Sequence, residues 1–263
     1  MAETTPAGPG TARALVLGVP IDRLTMGETL QRVEEAIARR SRLQIGVVNA
    51  AKLVNMDRDP LLRQDVLGSD LILADGASVV WASRLLGDPL PERVAGIDLM
   101  LGILERGASK GWRIYCLGAT REVLERSTER MLADFPGIQI VGRRDGYFSA
   151  AEEEGVARDI AAARPDVLFV AMTSPKKENF LGRWSKTLDV PVCHGVGGSF
   201  DVVAGKVQRA PVAWQRLGLE WLYRTIQEPR RLAKRYFVTN TVFSARVLSE
   251  RLRPRGGASR RQP

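Results

Sequence analysis

Leu71-Ile72-Leu73-Ala74-Asp75-Gly76 is an apolar run that ends abruptly on a carboxylate and a glycine. A short run of this kind reads as a strand buried on both faces, opening at its carboxyl end onto a turn. Ala77–Leu86 follows with helical patterning, and the same unit recurs along the chain. Strands are expected over Ala14–Val19, Ile45–Val48, Leu71–Leu73, Ile114–Leu117, Ile138–Val141, Val167–Met172 and Val190–Val196. Helices are expected between them, over Met26–Arg40, Ala50–Val66, Ala77–Leu86, Asp98–Ala108, Arg121–Asp134, Ala151–Ala163 and Pro175–Leu188. Thr25 and Glu28 have capping-box spacing ahead of the first helix. Strands alternating with helices define βαβ units, so the fold class is α/β: a Rossmann-like parallel sheet covered by helices.

Several of these strands run straight into glycine: Asp75-Gly76, Leu117-Gly118-Ala119-Thr120 and Gly195-Val196-Gly197-Gly198. In open parallel sheets, ligands sit outside the carboxyl ends of the strands, where backbone amides face anions. Gly76, Gly118 and Gly197 therefore mark the expected edge of a nucleotide-type pocket.

Beyond Asp201 the pattern changes. Lys206–Pro263 holds 14 Lys or Arg against three Glu, a net of +11, whereas the preceding 205 residues carry a net of −2. Trp214, Trp221, Tyr223, Tyr236, Phe237 and Phe243 are interleaved with this charge. Cations beside amphipathic rings suit a phosphate-rich ligand, an anionic membrane surface or a nucleic acid. A long helix is expected from about Pro229 to Leu252, with Leu232, Tyr236, Phe243 and Val247 on one stripe and Arg231, Lys234 and Arg235 beside it. The expected organisation is a disordered tail over residues 1–12, an α/β domain over 13–205, a basic helical appendage over 206–253 and a disordered tail over 254–263. No apolar run is long enough to span a bilayer, and two cysteines are too few for a disulfide framework.

Several chemistries are set aside by pattern. His194, the only histidine, neighbours Cys193 in an expected strand, where adjacent side chains point to opposite faces; both read as core. No residue set has zinc-ligand spacing, and neither a Walker loop nor G-x-G-x-x-G is present. Asp57-Arg58-Asp59 has the form of a metal-binding D-x-D pair, but it ends a helix before Pro60 and reads as a solvated helix end. Asp75 fits two roles, a functional carboxylate at a strand mouth or the N-cap of the following helix. Arg93, in the loop opening the next helix, suits either a surface acid or a bidentate diphosphate contact.

Taken in order, Val48-Asn49-Ala50, Leu73-Ala74-Asp75-Gly76, Glu92-Arg93-Val94-Ala95-Gly96-Ile97-Asp98, Ser174-Pro175-Lys176-Lys177-Glu178 and Gly195-Val196-Gly197-Gly198 lead to a C-terminal set. That set is Arg209-Ala210-Pro211, Glu220-Trp221-Leu222-Tyr223-Arg224, Glu228-Pro229-Arg230-Arg231 and Arg235-Tyr236. Together they resemble the WecG/TagA/CpsF family of bacterial glycosyltransferases from about Ala14 to Tyr236. The resemblance implies inverting transfer of a sugar, N-acetylmannosamine-type, from a UDP-sugar to a polyprenyl-diphosphate-linked saccharide in cell-surface polysaccharide synthesis. It also implies a place on the cytoplasmic face of the membrane, no essential metal ion or other cofactor, and, in some members, homo-oligomers. Asp75 matches the proposed general base and Arg93 an active-site arginine. Asn49, Lys177, Arg224, Arg231 and Arg235 fall at substrate-binding positions, and the appendage is expected to complete the pocket and close it on lipid. Two positions depart from the pattern: Val47 stands where a threonine is frequent, and Lys177 where a glutamine is usual, an added cation that suits a carboxylated donor such as a uronic acid. The competing reading from another class is a non-catalytic lipid- or nucleic-acid-binding protein with a basic arm. The body shows neither a helix-turn-helix nor an RNA-binding sheet motif, so no nucleic-acid partner is expected.

Overall fold

The computed structural model describes residues 12–253, apart from the side chains of residues 216 and 231. Both expected disordered tails lie outside the described residues, except Ala12, which precedes the first strand.

Six strands form one parallel sheet: β3 (Leu43–Val48), β4 (Leu71–Ala74), β5 (Arg113–Gly118), β6 (Gln139–Arg144), β7 (Val167–Ala171) and β8 (Val192–Gly195), in the order β4-β3-β8-β7-β5-β6. Side chains alternate across a strand, so each apolar run feeds two cores. Leu71, Leu73, Ile114, Cys116, Val167 and Phe169 face one core, shared with α1 (Met26–Arg39), α5 (Gly96–Ala108) and α6 (Arg121–Asp134). Ile72 and Ala74 face the opposite side, under α2 (Ala50–Asn55), α3 (Pro60–Leu67) and α4 (Ala77–Leu85). Tyr115, Leu117, Leu168 and Val170 pack there under α7 (Glu153–Ala162) and α8 (Lys176–Leu188). Thr25 and Glu28 form the capping box at the start of α1.

Two expected elements are redrawn. The expected strand Ala14–Val19 is a hairpin, β1 (Arg13–Val16) and β2 (Val19–Asp22), because Leu17 and Gly18 turn the chain with φ of 51° and 73°. Positive φ at both turn residues is the geometry of a two-residue hairpin loop. The hairpin covers the sheet edge: the buried Asp22 carboxylate accepts from Ile72 N–H at 2.7 Å and pairs with Arg13 at 2.9 Å. The expected helix Ala50–Val66 is broken in two, since Pro60 cannot continue it. Asp59 caps α3 by accepting from Leu62 N–H, and Asp57 pairs with Arg246, so the D-x-D segment is a helix junction.

The appendage folds onto the body as α10 (Val212–Arg216), α11 (Glu220–Gln227) and α12 (Pro229–Leu252), after a short α9 (Ser199–Val203). Its expected apolar stripe packs largely against the body. Leu232 is buried, and Phe243 and Val247 join the core under α2 and α4, because those helices leave an apolar face that this stripe matches. The apolar groups left outside are others, among them Ile226 and Phe237 at 62% and 74% exposure.

Gly118 is held at φ +118°, and a Cβ there would lie 2.4 Å from the Ala171 carbonyl oxygen. Gly118→Ala is expected to destabilise the protein by at least about 1–3 kcal/mol, read from thermal unfolding.

Candidate active site

The carboxyl ends of the sheet open onto a cleft of ≈ 1110 Å³, walled on one side by strand-end loops and on the other by α11 and α12. Asn49, Asp75, Gly76, Arg93, Lys177, Gly197, Arg224 and Arg235 all line it. Gly118 does not. Ala171's carbonyl and Gly146 fill its surroundings, and the adjacent Ala119 and Thr120 reach the cleft instead. Arg231 lies in α12, but its side chain is outside the described residues.

Asp75 is not the cap of α4. That N-cap is Gly76, with no side-chain bond. Asp75 Oδ1 instead accepts from Gly96 N–H at 2.8 Å, at the start of the thirteen-residue α5, where a carboxylate is favoured by the helix dipole. Oδ2 has no hydrogen-bond partner among the described residues. Asn49 caps α2 through Oδ1, accepting from Lys52 N–H at 3.0 Å.

Beside these residues lies a charged trio, Lys52, Lys177 and Glu178, of which the ordered motifs contain only the last two. Lys52 Nζ donates to Glu178 Oε1 at 2.8 Å and to the Val47 carbonyl at 2.6 Å, and Lys177 Nζ lies 3.1 Å from the same Glu178 oxygen. All three side chains are nearly closed to solvent. Burial, then the Lys52 ammonium, push Lys177 down to about 8 against the pull of Glu178. Burial alone would raise Glu178, but the two ammoniums outweigh it and hold the carboxyl at about 2. The available signal was Lys52 itself, a lysine set among Ala50, Ala51, Leu53 and Val54.

Arg93 does not point free into the cleft. It donates to Glu220 of α11 at 2.7 Å, while Arg209 grips Asp98 with two nitrogens at 2.7 and 2.8 Å and approaches Glu220 at 3.5 Å. The four charges join the body to the appendage. Arg224 and Arg235 differ from them. Neither has a carboxylate partner among the described residues. Arg235 lies over the Tyr236 ring at 4.8 Å, and Arg224 rests on the glycine loop, its Nη2 only 2.5 Å from where a Gly198 Cβ would stand.

His194 and Cys193 are both buried and face opposite sides of β8, so neither forms a dyad with the other. Burial pushes the Cys193 thiol up to about 12. Among the described residues no group of three or more His, Cys, Asp or Glu is placed to hold a metal ion.

A parallel α/β sheet with a cleft at its carboxyl edge, lined by Asp75 and by arginines that have no carboxylate partner among the described residues, is a pocket suited to an anionic ligand. The family model for the glycosyl transferase WecG/TagA/CpsF family matches residues 14–257. The chain is also 41% identical over 174 residues, 66% of its length and 67% of the relative's, to a Bacillus spizizenii protein named N-acetylglucosaminyldiphosphoundecaprenol N-acetyl-beta-D-mannosaminyltransferase. This chain belongs to the WecG/TagA/CpsF family and is a glycosyltransferase.

Proposed function

We propose that this chain transfers an N-acetylmannosamine-type sugar, with inversion, from its UDP donor to the saccharide of a polyprenyl-diphosphate-linked acceptor. The observation that carries the reading is the pair of arginines without carboxylate partners among the described residues, Arg224 and Arg235, across one cleft from Asp75. In this reaction the acceptor hydroxyl attacks the anomeric carbon as its proton passes to a base, and the bond to the donor phosphate breaks with its electrons leaving on UDP. Asp75 Oδ2 is the free oxygen that takes the proton, and Arg224 and Arg235 face the charge that grows on the diphosphate. The choice of a neutral donor over a uronate rests on Lys177, whose ammonium is already shared with Glu178. The test is UDP release with a prenyl-diphosphate-linked N-acetylglucosamine acceptor. UDP-N-acetylmannosamine is expected to outpace the corresponding uronate, and the reverse order would overturn the donor assignment.

Arg224→Ala is expected to lower turnover by about 10²–10³-fold, the usual effect of losing one charge-stabilising donor, with little change in melting temperature. Gly198→Ala should produce part of the same loss, because the three atoms nearest to its Cβ all belong to the flexible Arg224 guanidinium, which it displaces. An Arg224→Ala protein that unfolds would make the arginine structural.

The same reading places the protein peripherally on the cytoplasmic face of the membrane. No helix among the described residues is long and apolar enough to cross one. With the α12 stripe packed largely against the body, Ile226, Phe237 and the surrounding cations are the groups that would meet anionic lipid. Flotation with anionic vesicles, set against retardation of DNA, checks this; retention of DNA alone would favour the basic-arm alternative.

A further inference from the structure

The one histidine of this chain is unused by the chemistry above, yet a single residue, Gly96, links it to the carboxylate that the chemistry needs. His194 is wholly closed to solvent on β8, between Ile45 of β3 and Phe169 of β7 in register, with the Phe169 ring edge-on at 6.4 Å. Its Nε2 is 2.9 Å from the Gly96 carbonyl oxygen. A carbonyl only accepts, so the ring must carry its proton on Nε2. The N–H of that same Gly96 is the group that holds Asp75 Oδ1 at 2.8 Å. One residue is therefore gripped from two sides: a rigid central strand holds its carbonyl, and its amide aims the carboxylate.

We propose that His194 is a positioning residue for Asp75, acting through Gly96 to set the first turn of α5 against which the carboxylate is oriented. Loop 87–95, which delivers Gly96, has no strand of its own, and its Arg93 is committed to the appendage. Val94 N–H ties the loop to the Ala74 carbonyl of β4 at 2.9 Å, and the histidine bond adds a second anchor, from β8 and on Gly96 itself, that does not depend on whether the appendage is seated. The ring stays neutral in this role, since burial pulls it down to about 4 despite the Gly96 bond and nearby Asp75. A neutral donor at Nε2 is all the arrangement requires, and a glutamine side chain places an amide N–H at nearly the same distance from the backbone.

This inference rests on Asp75 being the base, and the experiment separates the two. Steady-state turnover and donor KM are measured in the full chain for His194→Met, His194→Gln, Asp75→Asn and the double variant Asp75→Asn with His194→Met. His194→Met, which has no donor, is expected to lower kcat about 10- to 100-fold, the scale of a small misplacement of a catalytic group, with donor KM within about twofold. His194→Gln should recover most of that loss, and His194→Met should cost nothing further once Asp75 is asparagine. If His194→Met does not fold, His194→Asn, whose amide is too short to reach the Gly96 carbonyl, takes its place. Equal kcat in the donor and non-donor variants overturns the inference while Asp75→Asn remains inactive. Wild-type kcat in Asp75→Asn overturns the base assignment, and this inference with it.

Discussion

Asp75→Asn is expected to reduce turnover by at least ~100-fold, the lower end of what general-base catalysis contributes, while leaving the protein folded. The geometry makes the substitution unusually clean. An asparagine Oδ1 can still accept from Gly96 N–H, so the bond at the start of α5 survives and only the charge and the proton-accepting oxygen are lost. UDP release checks the first half, and a melting curve close to that of the parent checks the second. Near-normal turnover would leave Asp75 as an anchor for α5 and nothing more.

Glu178→Gln is expected to destabilise the fold by about 3–5 kcal/mol at neutral pH, the typical cost of leaving buried charge without its counter-ion. Glu178 Oε1 alone receives both Lys52 and Lys177, so removing its charge strands two ammoniums together. Replacing all three, by Lys52→Met, Lys177→Met and Glu178→Leu, should restore much of the stability, because apolar packing often matches a buried ion pair. The pH dependence has a defined sign. Glu178 titrates at about 2 in the folded chain against an ordinary 4.5, so its contribution is present above about pH 4.5 and is lost as pH falls through about 2. Lys177 is depressed to about 8 from 10.5; between those values the unfolded chain holds the extra proton, and this group favours the fold increasingly as pH rises. The Gln variant should therefore lose the acid-side slope and regain stability toward alkaline pH. Urea unfolding across pH reads all of this, and a loss below about 1 kcal/mol at neutral pH would mean that water reaches the trio.

Much of the sheet was legible because a strand buried on both faces needs an unbroken apolar run, and Leu71–Ala74 and Val167–Ala171 have one. The hairpin at Leu17-Gly18 was missed because Leu is a rare residue at positive φ, so Ala14–Val19 looks like one strand. Pro60 was visible as the end of a helix, yet the pattern on either side of it is continuous enough to suggest one helix in place of two. The site residues were legible as positions. Eight of the expected contacts line one cleft, whereas the space Gly118 leaves is filled by the Ala171 carbonyl. What each residue does was less legible. Asp75 had two local readings, and neither anticipates a bond to Gly96, twenty-one residues on. Arg93 finds its partner, Glu220, 127 residues away.

By itself the sequence determined the α/β architecture, the edge at which the cleft opens, the family and the basic character of the last segment. These follow from local periodicity, turn chemistry and ordered motifs, all carried by neighbouring residues. Only the tertiary structure decided which face of α12 is buried, which arginines are paired and which remain available, and what holds Asp75 and Lys177. An amphipathic helix shows that it has an apolar face, but whether lipid or protein covers that face depends on the surface it meets. Charge partners likewise are settled by distance in space: Glu220 claims Arg93, and Arg224 has no carboxylate partner among the described residues.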